Sequence, residues 1–133
     1  MADAPRNLDE AIDAVEEAYE FMLAFAAQGR RRGDDDAGTG IRERLTRSEA
    51  ALGLIAESIG EGTDARAKAG AVGAEFLDLA RADASRARAA IRFVLAQPSI
   101  GSQIIDNLNA TSHMRALLTD LFLVDEAIGA MGA

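Results

Sequence analysis

The chain has 133 residues, a formal net charge of −8, a single histidine and no cysteine. This length suits one hydrophobic core, so we predict a single domain over residues 1–133. The missing cysteines exclude disulfides, thiolate catalysis and cysteine-ligated zinc. The acidic charge argues against nucleic-acid binding, which needs basic residues to displace counterions.

We expect a cytoplasmic protein with no membrane contact. The first ten residues, "MADAPRNLDE", contain neither a basic region nor an apolar stretch of the kind that directs export. No apolar run in the chain approaches the length that a membrane-spanning helix requires.

The first predicted helix covers residues 8–28. Asn7 is a favourable N-cap, and Glu10 three residues later completes a capping-box-like start. Apolar residues then recur every three or four positions, which places them on one face of a helix. The glycine-rich segment that follows, residues 29–40, has no such period and is predicted to be a flexible loop.

Three further helices are predicted from the same period, over residues 41–59, 64–97 and 102–131. The third stops before Pro98, because the proline ring disfavours helix in the preceding residue. Two glycines weaken its first turns and allow a break near Gly70. No segment alternates as a strand does, so we predict an all-α fold, an antiparallel four-helix bundle.

The only histidine, His113, lies at the end of a polar run over residues 106–113. A single imidazole cannot complete a histidine-rich metal site, and no Gly-x-Ser-x-Gly nucleophile motif is present. We therefore expect His113 to be structural or solvated. The polar run is either a solvent-facing half-helix or a segment whose side chains are used, and the sequence leaves both open.

Two carboxylate clusters support an enzymatic alternative. Glu16, Glu17 and Glu20 form a Glu-Glu-x-x-Glu pattern, and Glu75 and Asp78 form Glu-x-x-Asp. Residues three or four apart share a helix face, and two facing pairs could hold Mg²⁺ through oxygen ligands.

This pattern is similar to that of the all-α nucleotide pyrophosphohydrolases of the MazG and dimeric dUTPase type. The resemblance covers nine residues and implies Mg²⁺-dependent nucleotide hydrolysis at Glu16, Glu20, Glu75 and Asp78. In that family the two halves lie on consecutive helices, whereas here a whole helix and a loop intervene. Our preferred interpretation is therefore non-catalytic, with no resident metal and no cofactor.

Charged rows occur on two of the helices. An acidic row on the first helix has spacings of four, three and four, and comprises Asp9, Asp13, Glu16 and Glu20. Three arginines cluster on the third helix, namely Arg81, Arg88 and Arg92. If these helices are neighbours, or meet across a dimer, the rows would pair beside an apolar seam, as in coiled coils. The alternative is that both rows are simply solvated.

Both terminal helices also carry more apolar residues than one small bundle is expected to cover. The extra residues that we assign to an interface are Ala14, Ala18, Phe21, Phe25, Leu118 and Phe122. Large apolar patches mark contact surfaces, so we expect a homodimer and a further protein partner. The sequence thus predicts a small accessory or regulatory protein. A second alternative is a bundle that binds a small molecule in a pocket lined by Tyr19, Met22 and Met114.

Overall fold

The computed structural model describes residues 5–31 and 39–128. These residues form five helices and no strand, which confirms the all-α prediction: α1 (Leu8–Ala27), α2 (Ile41–Ser58), α3 (Asp64–Leu95), α4 (Ser102–Ala110) and α5 (His113–Ile128). Most of the predicted loop over residues 29–40, and the end of the fourth predicted helix at 129–131, lie outside the described residues. Within the described ranges, no helix has both the length and the apolarity to cross a bilayer.

The fourth predicted helix is two helices, which corrects the count of four. The chain leaves the helix at Thr111 and Ser112, and Ser112 has a left-handed φ of 63°. The Thr111 hydroxyl donates to the Leu108 carbonyl at 2.7 Å, and the Ser112 amide donates to the Asn109 carbonyl at 3.1 Å. These local hydrogen bonds offer the backbone an alternative to continued helix, which is how Ser, Thr and Asn weaken helix interiors.

The predicted break at Gly70 is present inside α3. Gly70 has φ 73° and ψ −175°, a conformation that is essentially restricted to glycine. Arg66 Nη1 lies 2.6 Å from Asp78 Oδ1, although twelve residues of straight helix would separate them by about 18 Å. The turns before Gly70 therefore fold back beside the turns that follow it.

The helices contact one another in pairs, and α1 and α2 run in opposite directions. α1 packs against α2, α4 and α5, while α3 packs against α2, α4 and α5. The Arg44 guanidinium lies over the Phe21 ring, and Arg47, one turn later on α2, pairs with Glu17, one turn earlier on α1. Buried side chains from all five helices form one apolar cluster.

The ends of three helices are fastened by hydrogen bonds to neighbouring segments. The Ser102 hydroxyl donates to the Phe25 carbonyl at 2.6 Å and accepts from the Arg30 amide at 2.8 Å. The Arg42 guanidinium donates to the carbonyls of Leu95 and Gln97, both at 2.9 Å. Carbonyls at helix ends lack partners within their own helix, so these contacts satisfy groups that would otherwise need water.

Candidate functional site

An acidic row follows one side of α1. Asp9, Asp13 and Glu20 are exposed and Glu16 is half-buried, at the spacings predicted from the sequence. None of the four forms an ion pair with any described residue. The row is therefore a concentration of negative charge that the described part of the chain leaves uncompensated.

Asp9 and Asp13, at the start of this row, line a groove between α1 and α5, which we call the acidic groove. It holds a concavity of about 350 Å³ lined by Asp9, Ile12, Asp13, Leu121, Phe122 and Asp125. Phe122 is 53% exposed, so its ring is the largest apolar surface that the groove offers to solvent. Carboxylates on both helices thus flank an apolar floor.

The crowding of negative charge within the acidic row affects the pKa of Glu16. Partial burial raises the pKa of the Glu16 carboxyl, and the negative charges of Asp13 and Glu20 raise it further. Like charges on neighbouring positions disfavour the ionised form, whereas a cation bound beside them favours it. The acidic groove is therefore suited to a positively charged partner.

The predicted pairing between the acidic row and the arginine row does not occur within the chain. Arg88 Nε lies 2.8 Å from Glu49 Oε1 on α2, and Arg92 Nε lies 3.9 Å from the same oxygen. The Arg81 guanidinium lies close to Gly60, at the end of α2. The arginines face α2 because α2, and not α1, is the main neighbour on that side of α3.

The predicted interface residues fall into two groups. Ala14, Ala18, Phe25 and Leu118 are buried in the core, so the prediction that they form an exposed contact surface is wrong. Phe21 is half-buried, stacks on Phe25 with ring centroids 6.4 Å apart and is covered by Arg44. α1 needs a wide apolar arc because it packs against three helices. Phe122 alone of the six is exposed.

The structure also places the residues of the two alternative sites, the small-molecule pocket and the Mg²⁺ site. Met22 and Met114 are buried in the core and Tyr19 is half-buried, while the acidic groove is lined by other residues. Glu75 and Asp78 lie on α3, away from the α1 carboxylates, and Arg66 lowers the pKa of Asp78 through a hydrogen bond. In the described ranges, no three histidine or acidic side chains are grouped so that they could hold a metal ion.

One carboxyl pair was not predicted from the sequence. Asp120 on α5 adjoins Asp83 on α3, and its Oδ2 atom is enclosed without a hydrogen-bond donor. Burial and the neighbouring Asp83 raise the pKa of Asp120 to about 7. Asp83 pairs with Arg86 at 3.2 Å, so we place the proton shared by the two carboxyls on Asp120. The sequence did contain a sign of this pair. Asp83 lies three residues after the core residue Ala80, and Asp120 lies three residues after the core residue Leu117.

No family model, curated protein or solved structure matches this chain. The chemistry of the acidic groove is then the basis for a functional proposal.

Proposed function

We propose that this protein is a non-catalytic accessory protein that binds a basic, amphipathic helical segment of a partner protein in the acidic groove. The observation that carries this proposal is the row of four α1 carboxylates that no described residue neutralises, of which Asp9 and Asp13 line the groove with the exposed Phe122 ring. A helix with apolar residues on one face and Lys or Arg at its edges complements such a surface. Helix-in-groove recognition of this kind recurs among protein partners.

The ring and the carboxylates contribute differently to this binding. Phe122 is 53% exposed, so removing the rest of the ring from water is worth about 0.8–1.5 kcal/mol, and the ring supplies affinity. Exposed ion pairs contribute only about 0–1 kcal/mol each, but a field of one sign steers an oppositely charged partner and excludes an acidic one. The carboxylates therefore supply selectivity and association rate.

The experiment uses a synthetic helical peptide of Leu and Lys, with all Leu on one face, and measures binding by fluorescence anisotropy. We expect Asp13→Lys and Phe122→Ser each to weaken binding at least tenfold. The control is Glu57→Lys, which changes the net charge by the same amount at an exposed α2 position outside the groove. Equal weakening by the control would show attraction by net charge alone and would overturn the proposal.

The same variants identify the native partner in extracts of the source organism. Proteins that copurify with the unchanged chain and with Glu57→Lys, but not with Asp13→Lys, are the expected occupants of the acidic groove. A partner that all three chains retain equally would have to bind elsewhere, which contradicts the proposal.

We also propose that α4 and α5 act together as the fourth member of an antiparallel bundle, within a single domain. In support, α4 contacts α1 near its end, through Asn109 Nδ2 donating to the Met22 carbonyl at 3.3 Å. α5 contacts α1 near its start, where Leu121 and Phe122 adjoin Ile12. These two contacts, at opposite ends of α1, support treating α4 and α5 as one member of the bundle.

A further inference from the structure

The outer face of α3 carries the two most exposed large apolar side chains among the described residues, Val72 and Phe93, and a third exposed one, Leu79. Val72 is 82% exposed, Leu79 50% and Phe93 69%. These residues and Arg86 follow one another at intervals of seven, so they lie in one line along the helix. The line is about 32 Å long at the usual rise per residue of an α-helix. We call it the α3 seam.

Small residues fill the alternate positions of this seam. Ala82, Ala89 and Ala96 follow at the same interval of seven, one helical turn from the larger side chains. Alanines at such positions let a second helix approach closely, so the larger side chains can insert between its residues. Only Glu75 and Arg86 bring charge into the seam.

We infer that the α3 seam is the contact between two copies of this chain, with the two α3 helices antiparallel about a two-fold axis beside Ala82 and Asp83. In this register Val72 of one copy lies against Phe93 of the other, and Leu79 lies against Arg86. The contact is isologous, because each copy contributes the same residues. It lies on α3, whereas the acidic groove lies between α1 and α5, so the two surfaces can be tested separately.

Charge complementarity determines the direction of the second helix. A parallel pair would place Arg86 against Arg86 and Glu75 against Glu75. The antiparallel pair brings Arg86 of one copy within one helical turn of Glu75 of the other. Glu75 is exposed and has no ion pair among the described residues, so it is available to Arg86 of the second copy. Opposite charges at such flanking positions set partner and orientation in coiled coils.

The first test is sedimentation equilibrium of the full chain. We expect the unchanged protein to dimerise, and Phe93→Glu to raise the dimer dissociation constant about 100-fold or more, because a two-fold contact loses the ring twice. Phe122→Glu is the matched control, since it adds the same charge at another exposed phenylalanine. It should leave the dimer unchanged. Circular dichroism melts show whether each variant is folded.

The second test exchanges the two charges of the seam. Glu75→Arg and Arg86→Glu should each weaken the dimer about tenfold or more, and the double variant should restore it, because the opposite charges meet again. Arg86→Glu also removes the ion pair with Asp83, so the melts are compared before the dissociation constants. A monomeric unchanged protein, or a double variant weaker than both single variants, would overturn the inference.

Discussion

Asp120 shows how a single residue can make this fold sensitive to pH. A carboxyl whose pKa in the folded chain is about 7 binds its proton more tightly than the same group in the unfolded chain, where the pKa is about 3.9. The folded state therefore binds more protons between these two pH values. Stability from the shared proton is fully present below about pH 4 and is lost as the pH rises through about 7.

We therefore expect the free energy of unfolding to fall between about pH 5 and pH 8, where few other carboxyls titrate. Asp120→Asn keeps the shape and removes the titration, so it should flatten this dependence and stabilise the protein at pH 8. Urea unfolding at a series of pH values measures both effects. His113→Asn is the control that replaces the single histidine of the chain. A steep pH dependence that persists in Asp120→Asn would assign the effect to another group.

At the scale of the element, one buried serine contributes two hydrogen bonds to the contact between α4 and the end of α1. The Ser102 hydroxyl contacts the Phe25 carbonyl and the Arg30 amide, at 2.6 and 2.8 Å. Ser102→Ala would leave these backbone groups without that partner, at a cost of about 1–3 kcal/mol. Urea unfolding should show this loss. Ser85→Ala, at an exposed serine of α3, should change stability by less than about 0.5 kcal/mol.

A second measurement on Ser102→Ala distinguishes the loss of these hydrogen bonds from the loss of side-chain volume. Amide exchange at Arg30 should quicken in Ser102→Ala more than exchange in the centre of α2, because the serine caps that amide directly. Uniform acceleration across the chain would mean that Ser102 acts only through global stability.

Some helix boundaries could be predicted from the sequence and others could not, and each case has a physical reason. The start of α1 was predictable because its cap is local: the Glu10 amide donates to the Asn7 side chain at 2.9 Å, and the two residues are only three positions apart. The break at Ser112 was not predicted, although the apolar row shifts there: Met114 lies six residues after Leu108, whereas a continuous helix face has intervals of three, four or seven. Among the weak helix formers of the polar run, Thr111 was the residue that signalled the break.

At the scale of the whole molecule, the sequence could not show which apolar surfaces face a helix of the same chain and which face another molecule. The Ala14 and Phe25 row is covered by the chain itself, because α1 has three helix neighbours. The acidic row was predictable as a row, but the groove exists only because α5 places Phe122 beside it. Both outcomes depend on how the helices are arranged in space. The apolar period along a single helix carries no information about that arrangement.

The placement of Phe25 gives a direct test of this arrangement. Its side chain is 1% exposed, stacks on Phe21 and lies 5.7 Å from the Arg30 guanidinium. Replacing a buried phenylalanine with alanine removes apolar burial and leaves a cavity, which costs about 3–5 kcal/mol. Phe25→Ala should therefore lower the free energy of unfolding by this amount, which is a large part of the stability of a small domain.

Phe122→Ala is the matched control for this change, because it removes the same ring from an exposed position. It should lower stability by no more than about 1.5 kcal/mol, since about half of this side chain is already exposed. Urea unfolding and sedimentation on the same samples separate the two possible roles of Phe25. If Phe25→Ala left the stability nearly unchanged but abolished self-association, the ring would instead belong to an interface between copies of the chain. Loss of stability in proportion to the buried ring is expected, because the rest of the same chain already covers Phe25.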